Sequence, residues 1–72
     1  MNKYIIRFVD SPAGPRYDQY LVDIDWDGFK AVPVGCNDPD RAFRISFRPA
    51  HYICQQLRRA GYHSARVVAV HV

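Results

Sequence analysis

The feature that most restricts the fold of this chain is a run of alternating residues in its second quarter. In the segment from Tyr17 to Trp26, one hydrophobic set alternates with a second set made of Leu21 and three aspartates. The first set is Tyr20, Val22, Ile24 and Trp26, and the second is Leu21, Asp23, Asp25 and Asp27. A period of two is typical of a β-strand with one buried face and one face in solvent. The run ends in Asp27-Gly28, a dipeptide favoured in tight hairpin turns. Phe29 to Val34 is therefore predicted to return as an antiparallel strand. Pro33 indicates that this strand either lies at the edge of a sheet or ends soon after.

One amphipathic helix is predicted from Pro49 to Ala60. Its hydrophobic positions recur three and four residues apart, the spacing that forms one stripe along a helix. These positions are Ala50, Ile53, Cys54, Leu57 and Ala60. Arg58 and Arg59 suit the negative C-terminal end of a helix, and Gly61 is the expected cap.

Two further strands are predicted near the ends of the chain. Lys3 to Val9 and Ala65 to Val72 are largely hydrophobic on both sides, which favours interior strands. The prolines and glycine of residues 10–16 indicate a loop. Residues 42–48 leave two alternatives, because their period of two favours a strand whereas Asp38-Pro39 is a common helix start.

The predicted order is β-β-β-(β)-α-β, an α+β fold. One helix lies on one face of a mostly antiparallel sheet of four or five strands. Seventy-two residues suffice for one domain and are too few for two, so a single domain over residues 1–72 is expected.

The chain shows no pattern typical of export or of a membrane. Its N-terminus lacks the hydrophobic segment of a secretory signal, and the longest hydrophobic run, Val67 to Val70, is too short to cross a bilayer. We therefore expect a cytoplasmic protein with reduced thiols and no membrane partner. A secreted chain with one Cys36–Cys54 disulfide is the alternative.

Charge is divided unevenly along the sequence. Residues 1–40 hold four lysines and arginines against seven aspartates, a net charge of −3. Residues 41–72 hold six arginines and no acid, a net charge of +6. Such segregation favours an acidic partner, or a homodimer in which unlike surfaces of two copies meet.

Two patterns resemble metal sites only in part. Asp23, Asp25, Asp27 and Gly28 match the first half of a calcium-binding loop, but Val34 stands where that loop needs a glutamate. A solvent-facing strand that ends in a turn is the favoured interpretation. A possible zinc set has one closely spaced ligand pair, whereas structural zinc sites usually show two. That set is Cys36, His51, Cys54 and His63.

Neither metal nor cofactor is therefore expected, and Cys54 is predicted to be a buried thiol. No motif surrounds Cys36 as a nucleophile, so the chain is not expected to be an enzyme. A small ribonuclease using one of the three histidines, His51, His63 or His71, is the enzymatic alternative.

The arginines of the second segment, together with nearby polar residues, are the predicted binding residues. A solvated charged surface is the simplest interpretation, but the lack of balancing acids and the choice of Arg over Lys favour binding to carboxylate or phosphate. Arg44 and Arg48 are expected on one strand face, and Arg58 and Arg59 on the helix. The full candidate set is Arg44, Arg48, His51, Tyr52, Gln55, Arg58, Arg59 and Tyr62.

Two kinds of partner compete for these residues. An acidic protein surface is favoured, since Arg and Tyr often anchor protein interfaces. Nucleic acid is the alternative, with arginines on phosphates and Tyr52 or Tyr62 stacking on bases. The sequence lacks the motifs of the common nucleic-acid-binding folds, which weighs against it.

The chain is short, opens with the strand Lys3 to Val9, contains one amphipathic helix and carries no catalytic signature. In size and layout it resembles the small phage-encoded anti-CRISPR and other anti-defence proteins. This resemblance spans the whole chain and implies an inhibitor that covers a surface of a bacterial defence complex. Because no motif defines that class, the resemblance assigns no functional residue.

Overall fold

Four strands form one antiparallel sheet, with one helix packed on one of its faces. The computed structural model describes residues 3–17 and 19–70. Across the sheet the strands are ordered β5 (Lys30–Cys36), β4 (Tyr20–Asp27), β1 (Lys3–Arg7) and β6 (Arg66–Val70). The helix α1 spans Phe47–Arg59. This architecture confirms the predicted α+β fold and gives the sheet four strands.

The hairpin of β4 and β5 forms where the sequence predicts it, but its turn lies one residue later. Asp27 pairs with Lys30, so Gly28 and Phe29 are the two turn residues. Gly28 has a φ of 64°, and no non-glycine residue in the described part of the chain has a positive φ. A positive φ at the first turn position alone is the pattern of a type II′ turn. As predicted, β5 is an edge strand.

A bulge changes which residues of β4 face the core. The register of β4 against β5 shifts between Leu21 and Asp23, so the alternation is interrupted there. Leu21, predicted on the aspartate side, is 1% exposed and belongs to the core. An extra residue at a bulge reverses the side of every residue before it, which a plain period of two cannot reveal.

The strand β1 is interior as predicted, whereas β6 is an edge strand and the prediction of a central position was wrong. Among described strands, β6 pairs with β1 alone. Its hydrophobic residues on the face away from α1 lie opposite β1, where Val68 pairs with Ile5 and Val70 with Lys3. Residues 71 and 72 of the predicted strand lie outside the described residues.

Residues 42–46 form neither of the two predicted elements, and Phe47 and Arg48 already belong to α1. Pro39–Arg41 make a single 3₁₀ turn, which Asp38 caps by accepting a hydrogen bond from Asp40 N. Ile45 then forms an isolated bridge with Tyr4, with N–O distances of 2.8 and 2.9 Å. Phe43 N donates to Leu21 O. The segment is thus held between β1 and β4, which pair with each other only at their ends, through Arg7 and Tyr20.

The predicted loop at residues 10–16 contains a very small hairpin. Its two strands are β2 (Asp10–Ser11) and β3 (Gly14–Pro15). Pro12 in this hairpin packs beside Gly61, where a Cβ would lie 2.6 Å from Pro12 Cγ. Gly61 also has a φ of 106°, so both backbone conformation and space require glycine after α1.

The core lies between α1 and the sheet. The predicted helix stripe is confirmed, since Ala50, Cys54 and Leu57 are buried and Ile53 and Ala60 pack against the core. The helix begins at Phe47, two residues earlier than predicted. The remaining buried members of the core cluster are Ile6, Phe8, Leu21, Ala31, Tyr62 and Ala65.

Candidate functional site

The outward side of α1 is the surface on which the structure places half of the predicted binding residues. We call Arg48, Tyr52, Gln55 and Arg59 the outward stripe. They are spaced four, three and four residues apart, so they lie on one face of the helix, opposite the buried stripe. All four side chains are exposed, and 57% of Tyr52 is accessible. The two arginines are eleven positions apart, which is about 16 Å along the helix axis.

Arg48 lies where a positive charge does not stabilise the helix. It belongs to the first turn of α1, which contains no acidic residue. The partial positive charge of a helix N-terminus favours acidic side chains and disfavours basic ones. Ser46, the N-cap residue, makes no side-chain capping hydrogen bond. The N-terminal end of α1 is therefore strongly positive.

Aromatic side chains extend the surface at this end of the helix. Phe47 is half exposed, contacts Tyr4 edge to face at 5.3 Å between ring centroids, and stacks on His51 at 5.9 Å. Gln55 Nε2 donates to His51 Nε2 at 3.3 Å. These contacts hold His51 and Gln55 in place beside an exposed hydrophobic ring.

Arg58 and Tyr62 have structural surroundings that the sequence did not predict. Arg58 Nε donates to Ala65 O at 2.8 Å, and Cys54 Sγ donates to the same oxygen at 3.1 Å. Arg58 therefore ties the end of α1 to the start of β6. Tyr62 is 9% exposed and packs edge to face on Phe8, so the prediction of an exposed ring available for base stacking was wrong.

Arg44 is exposed but does not share a strand with Arg48. It lies in the segment that bridges β1 and β4, whereas Arg48 is in the first turn of α1. The expectation of a common strand face for these two residues was wrong, because α1 starts before Arg48. The arginines thus line the helix and the segment before it.

Asp23 and Asp25 lie away from these arginines, whereas Asp27 lines the same cleft as Arg59. Asp23 and Asp25 are exposed on β4, opposite Val34 and Val32, whereas Ile24 between them packs on the core. The acidic side chains therefore project from the sheet face away from α1. Within residues 3–17 and 19–70, the side chains of Arg44, Arg48 and Arg59 make no hydrogen bond or ion pair.

The two cysteines, Cys36 and Cys54, are free thiols. Cys54 is buried, and this burial raises the pKa of its thiol. Cys36 Sγ donates to Asp38 O at 3.2 Å. Among the described residues, no three histidine, cysteine or acidic side chains are grouped closely enough to hold a metal ion. In the same part of the chain, no helix is long and hydrophobic enough to cross a membrane.

Two features outside the predicted set emerge from tertiary contacts. Ser64 and Asp10, which are 54 residues apart in sequence, are hydrogen-bonded to each other, and Arg7 lies directly opposite Arg66 across β1 and β6. Phe29 at the hairpin turn is also fully exposed. The sequence placed Phe29 in the return strand and not in the turn. The two pairs have no local sequence signal, because each joins residues that are far apart along the chain.

Comparisons of this chain with protein-family models, with curated proteins and with solved structures found no match.

Proposed function

We propose that this protein is a non-enzymatic binding module that docks on an acidic surface of another protein through the outward stripe. The observation that carries the proposal is an exposed helix face with an arginine at each end, a tyrosine and a glutamine between them, and no acid. Arg44, Phe47 and His51 border this face.

The character of the stripe favours protein over nucleic acid as the partner. Arginine and tyrosine are the residues most often found at the centres of protein interfaces, where tyrosine adds hydrophobic contact and arginine adds forked hydrogen bonds to carboxylates. Single-stranded nucleic acid is usually bound on several stacking rings. Burial of Tyr62 leaves Tyr52 as the one exposed ring of the two that the sequence offered for stacking.

A substitution of Arg48 distinguishes a role in binding from a role in stability, because the two effects are expected to have opposite signs. Its charge opposes the helix dipole, so Arg48→Glu is expected to stabilise the fold by about 0.3–1 kcal/mol. The same substitution places a negative charge on the docking surface and should weaken binding to an acidic partner at least about tenfold. A residue kept for stability would show both effects in the same direction.

The experiment compares three variants that change net charge equally. Immobilised protein is incubated with nuclease-treated bacterial lysate, and the stoichiometric partner is identified by mass spectrometry and its affinity measured with purified protein. Arg48→Glu and Arg59→Glu should each weaken that binding, whereas Arg41→Glu in the exposed 3₁₀ turn should not. Equal losses for all three variants would indicate attraction by net charge and contradict the proposal. If partners are captured from untreated lysate but none from nuclease-treated lysate, nucleic acid would be favoured instead.

The resemblance to anti-defence proteins supplies a class of partner for this proposal. It predicts that the captured protein is a subunit of a bacterial defence complex and that docking inhibits it. Restoration of phage growth on a defended host, lost in Arg59→Glu and kept in Arg41→Glu, is the expected result. If the captured protein is unrelated to defence, the proposed docking surface would be supported and the proposed role as an inhibitor would be contradicted.

A further inference from the structure

We propose that Arg7 and Arg66 form a binding site for a phosphate-class oxyanion, on a part of the surface separate from the outward stripe. The two residues are direct partners in the antiparallel ladder of β1 and β6. Directly opposite residues lie on the same face of a sheet, with Cβ atoms about 4.5–5.5 Å apart. Arg7 lies between the core residues Ile6 and Phe8, so both arginines project from the face away from α1.

The pairing brings two like charges together, and no counter-charge from residues 3–17 or 19–70 is bound to them. Like charges directly opposite on neighbouring strands destabilise a sheet. Arg7 Nη2 donates to Gln19 Oε1 at 3.3 Å, and this neutral acceptor orients the guanidinium without cancelling its charge. Among the described residues, neither arginine forms an ion pair. A bound dianion would relieve the repulsion that the fold itself leaves in place.

A cleft of about 230 Å³ separates these side chains from the neighbouring turn. Its lining consists of Arg7, Phe8, Val9, Ser64 and Arg66. The backbone around it is held firmly, because Ser64 Oγ accepts hydrogen bonds from Val9 N at 2.8 Å and from Asp10 N at 3.2 Å. The cleft therefore has two cationic groups on a fixed backbone, which is the arrangement that lowers the ordering cost of binding.

The chemistry of the lining selects the ligand. A guanidinium makes two parallel hydrogen bonds to an oxyanion, so two guanidinium groups match a tetrahedral anion with two charges. A carboxylate lies beside the cleft, because Asp10 Oδ1 accepts hydrogen bonds from Ser64 N and Oγ. An anion must overcome repulsion from Asp10, so one arginine should not suffice. Phosphate at neutral pH, free or as a monoester, meets these requirements better than a single carboxylate.

The test is a titration of ¹⁵N-labelled protein with inorganic phosphate at about pH 7.5 and constant ionic strength, followed by NMR. Saturable shifts of the Arg7, Val9, Ser64 and Arg66 amides are expected. Arg66→Gln should weaken the affinity at least about tenfold, and Arg48→Gln on α1 should leave it within about twofold. Acetate under the same conditions should give no saturable shift.

Unfolding of the Arg66→Gln variant would not explain a weaker affinity for phosphate, because the variant is expected to remain as stable as the wild type. Because Arg66→Gln removes a like-charge pair, its melting temperature without phosphate should equal or exceed that of the wild type. A second titration with phenyl phosphate distinguishes the two sources of the anion. If the natural ligand is a phosphate monoester, phenyl phosphate should bind more tightly than inorganic phosphate. If it is free phosphate, inorganic phosphate should bind more tightly. Shifts that fail to saturate, or an affinity unchanged by Arg66→Gln, would overturn the proposal.

Discussion

At the residue scale, Asp10 and Ser64 form a side-chain connection between the first and last parts of the chain. Asp10 accepts hydrogen bonds from both the amide and the hydroxyl of Ser64, while that hydroxyl accepts from two backbone amides. The hydrogen bonds from Ser64 lower the pKa of the Asp10 carboxyl, with the side-chain bond as the largest cause. One serine thus holds the turn before β6 against the residues that follow β1.

We predict that Ser64→Ala is destabilising at neutral pH and less so in acid. A carboxyl whose pKa is lowered by folding contributes stability above its unfolded pKa, and this contribution disappears as pH falls through the folded pKa. Urea unfolding at about pH 7 and about pH 2.5 should therefore show a larger difference between wild type and variant at the higher pH.

Ser46→Ala is the matched control for this measurement. Ser46 is exposed and makes no side-chain capping hydrogen bond, so its replacement should change stability little at either pH. If the effect of Ser64→Ala were the same at both pH values, the ionised state of Asp10 would not contribute through this contact.

At the element scale, α1 carries two neighbouring arginines with different roles. Arg58 donates to Ala65 O and joins the helix to β6, whereas Arg59 points outward and makes no side-chain hydrogen bond among the described residues. Both lie in the last turn, where a positive charge interacts favourably with the helix dipole. Their contributions to the helix itself should therefore be similar.

Arg58→Ala is accordingly expected to lower the free energy of unfolding by about 1 kcal/mol more than Arg59→Ala. The difference corresponds to the tertiary hydrogen bond, because the dipole and propensity contributions cancel between the two variants. Chemical denaturation of both variants measures it. Arg59→Ala should in turn weaken partner binding more than its small effect on stability explains, and equal stability of the two variants would contradict the assigned contact.

At the scale of the whole molecule, the hydrophobic core is small and limits the free energy of unfolding. A 72-residue domain is expected to have a free energy of unfolding of about 4–11 kcal/mol. Leu57 is fully buried between α1 and the sheet. Leu57→Ala should therefore cost about 2–5 kcal/mol, a large part of the total.

Trp26→Ala provides the comparison for this core substitution. Trp26 is the larger residue but is 53% exposed, so its loss should be smaller than that of Leu57→Ala despite the greater number of atoms removed. Thermal unfolding followed by circular dichroism gives both values. A larger loss at Trp26 would contradict the assignment of stability to the buried core.

Local patterns determined much of this fold. Helix spacing identified the buried stripe of α1, alternation identified β4, and the glycine after Asp27 marked the hairpin, because each signal depends on residues close together in sequence. The bulge at Leu21, the edge position of β6 and the bridge of Ile45 to Tyr4 escaped prediction, since each depends on which distant strand lies alongside.

The same division applies to the candidate sites. The sequence by itself determined that the second segment is rich in arginine without balancing acids, and that helical spacing would expose several of these arginines. Only the tertiary structure decided that Arg58 is turned to a backbone oxygen, that Tyr62 is buried, and that Arg7 faces Arg66. Composition and periodicity determine which side chains lie outside the core. Which other residues those side chains contact depends on the packing of segments that are far apart along the chain.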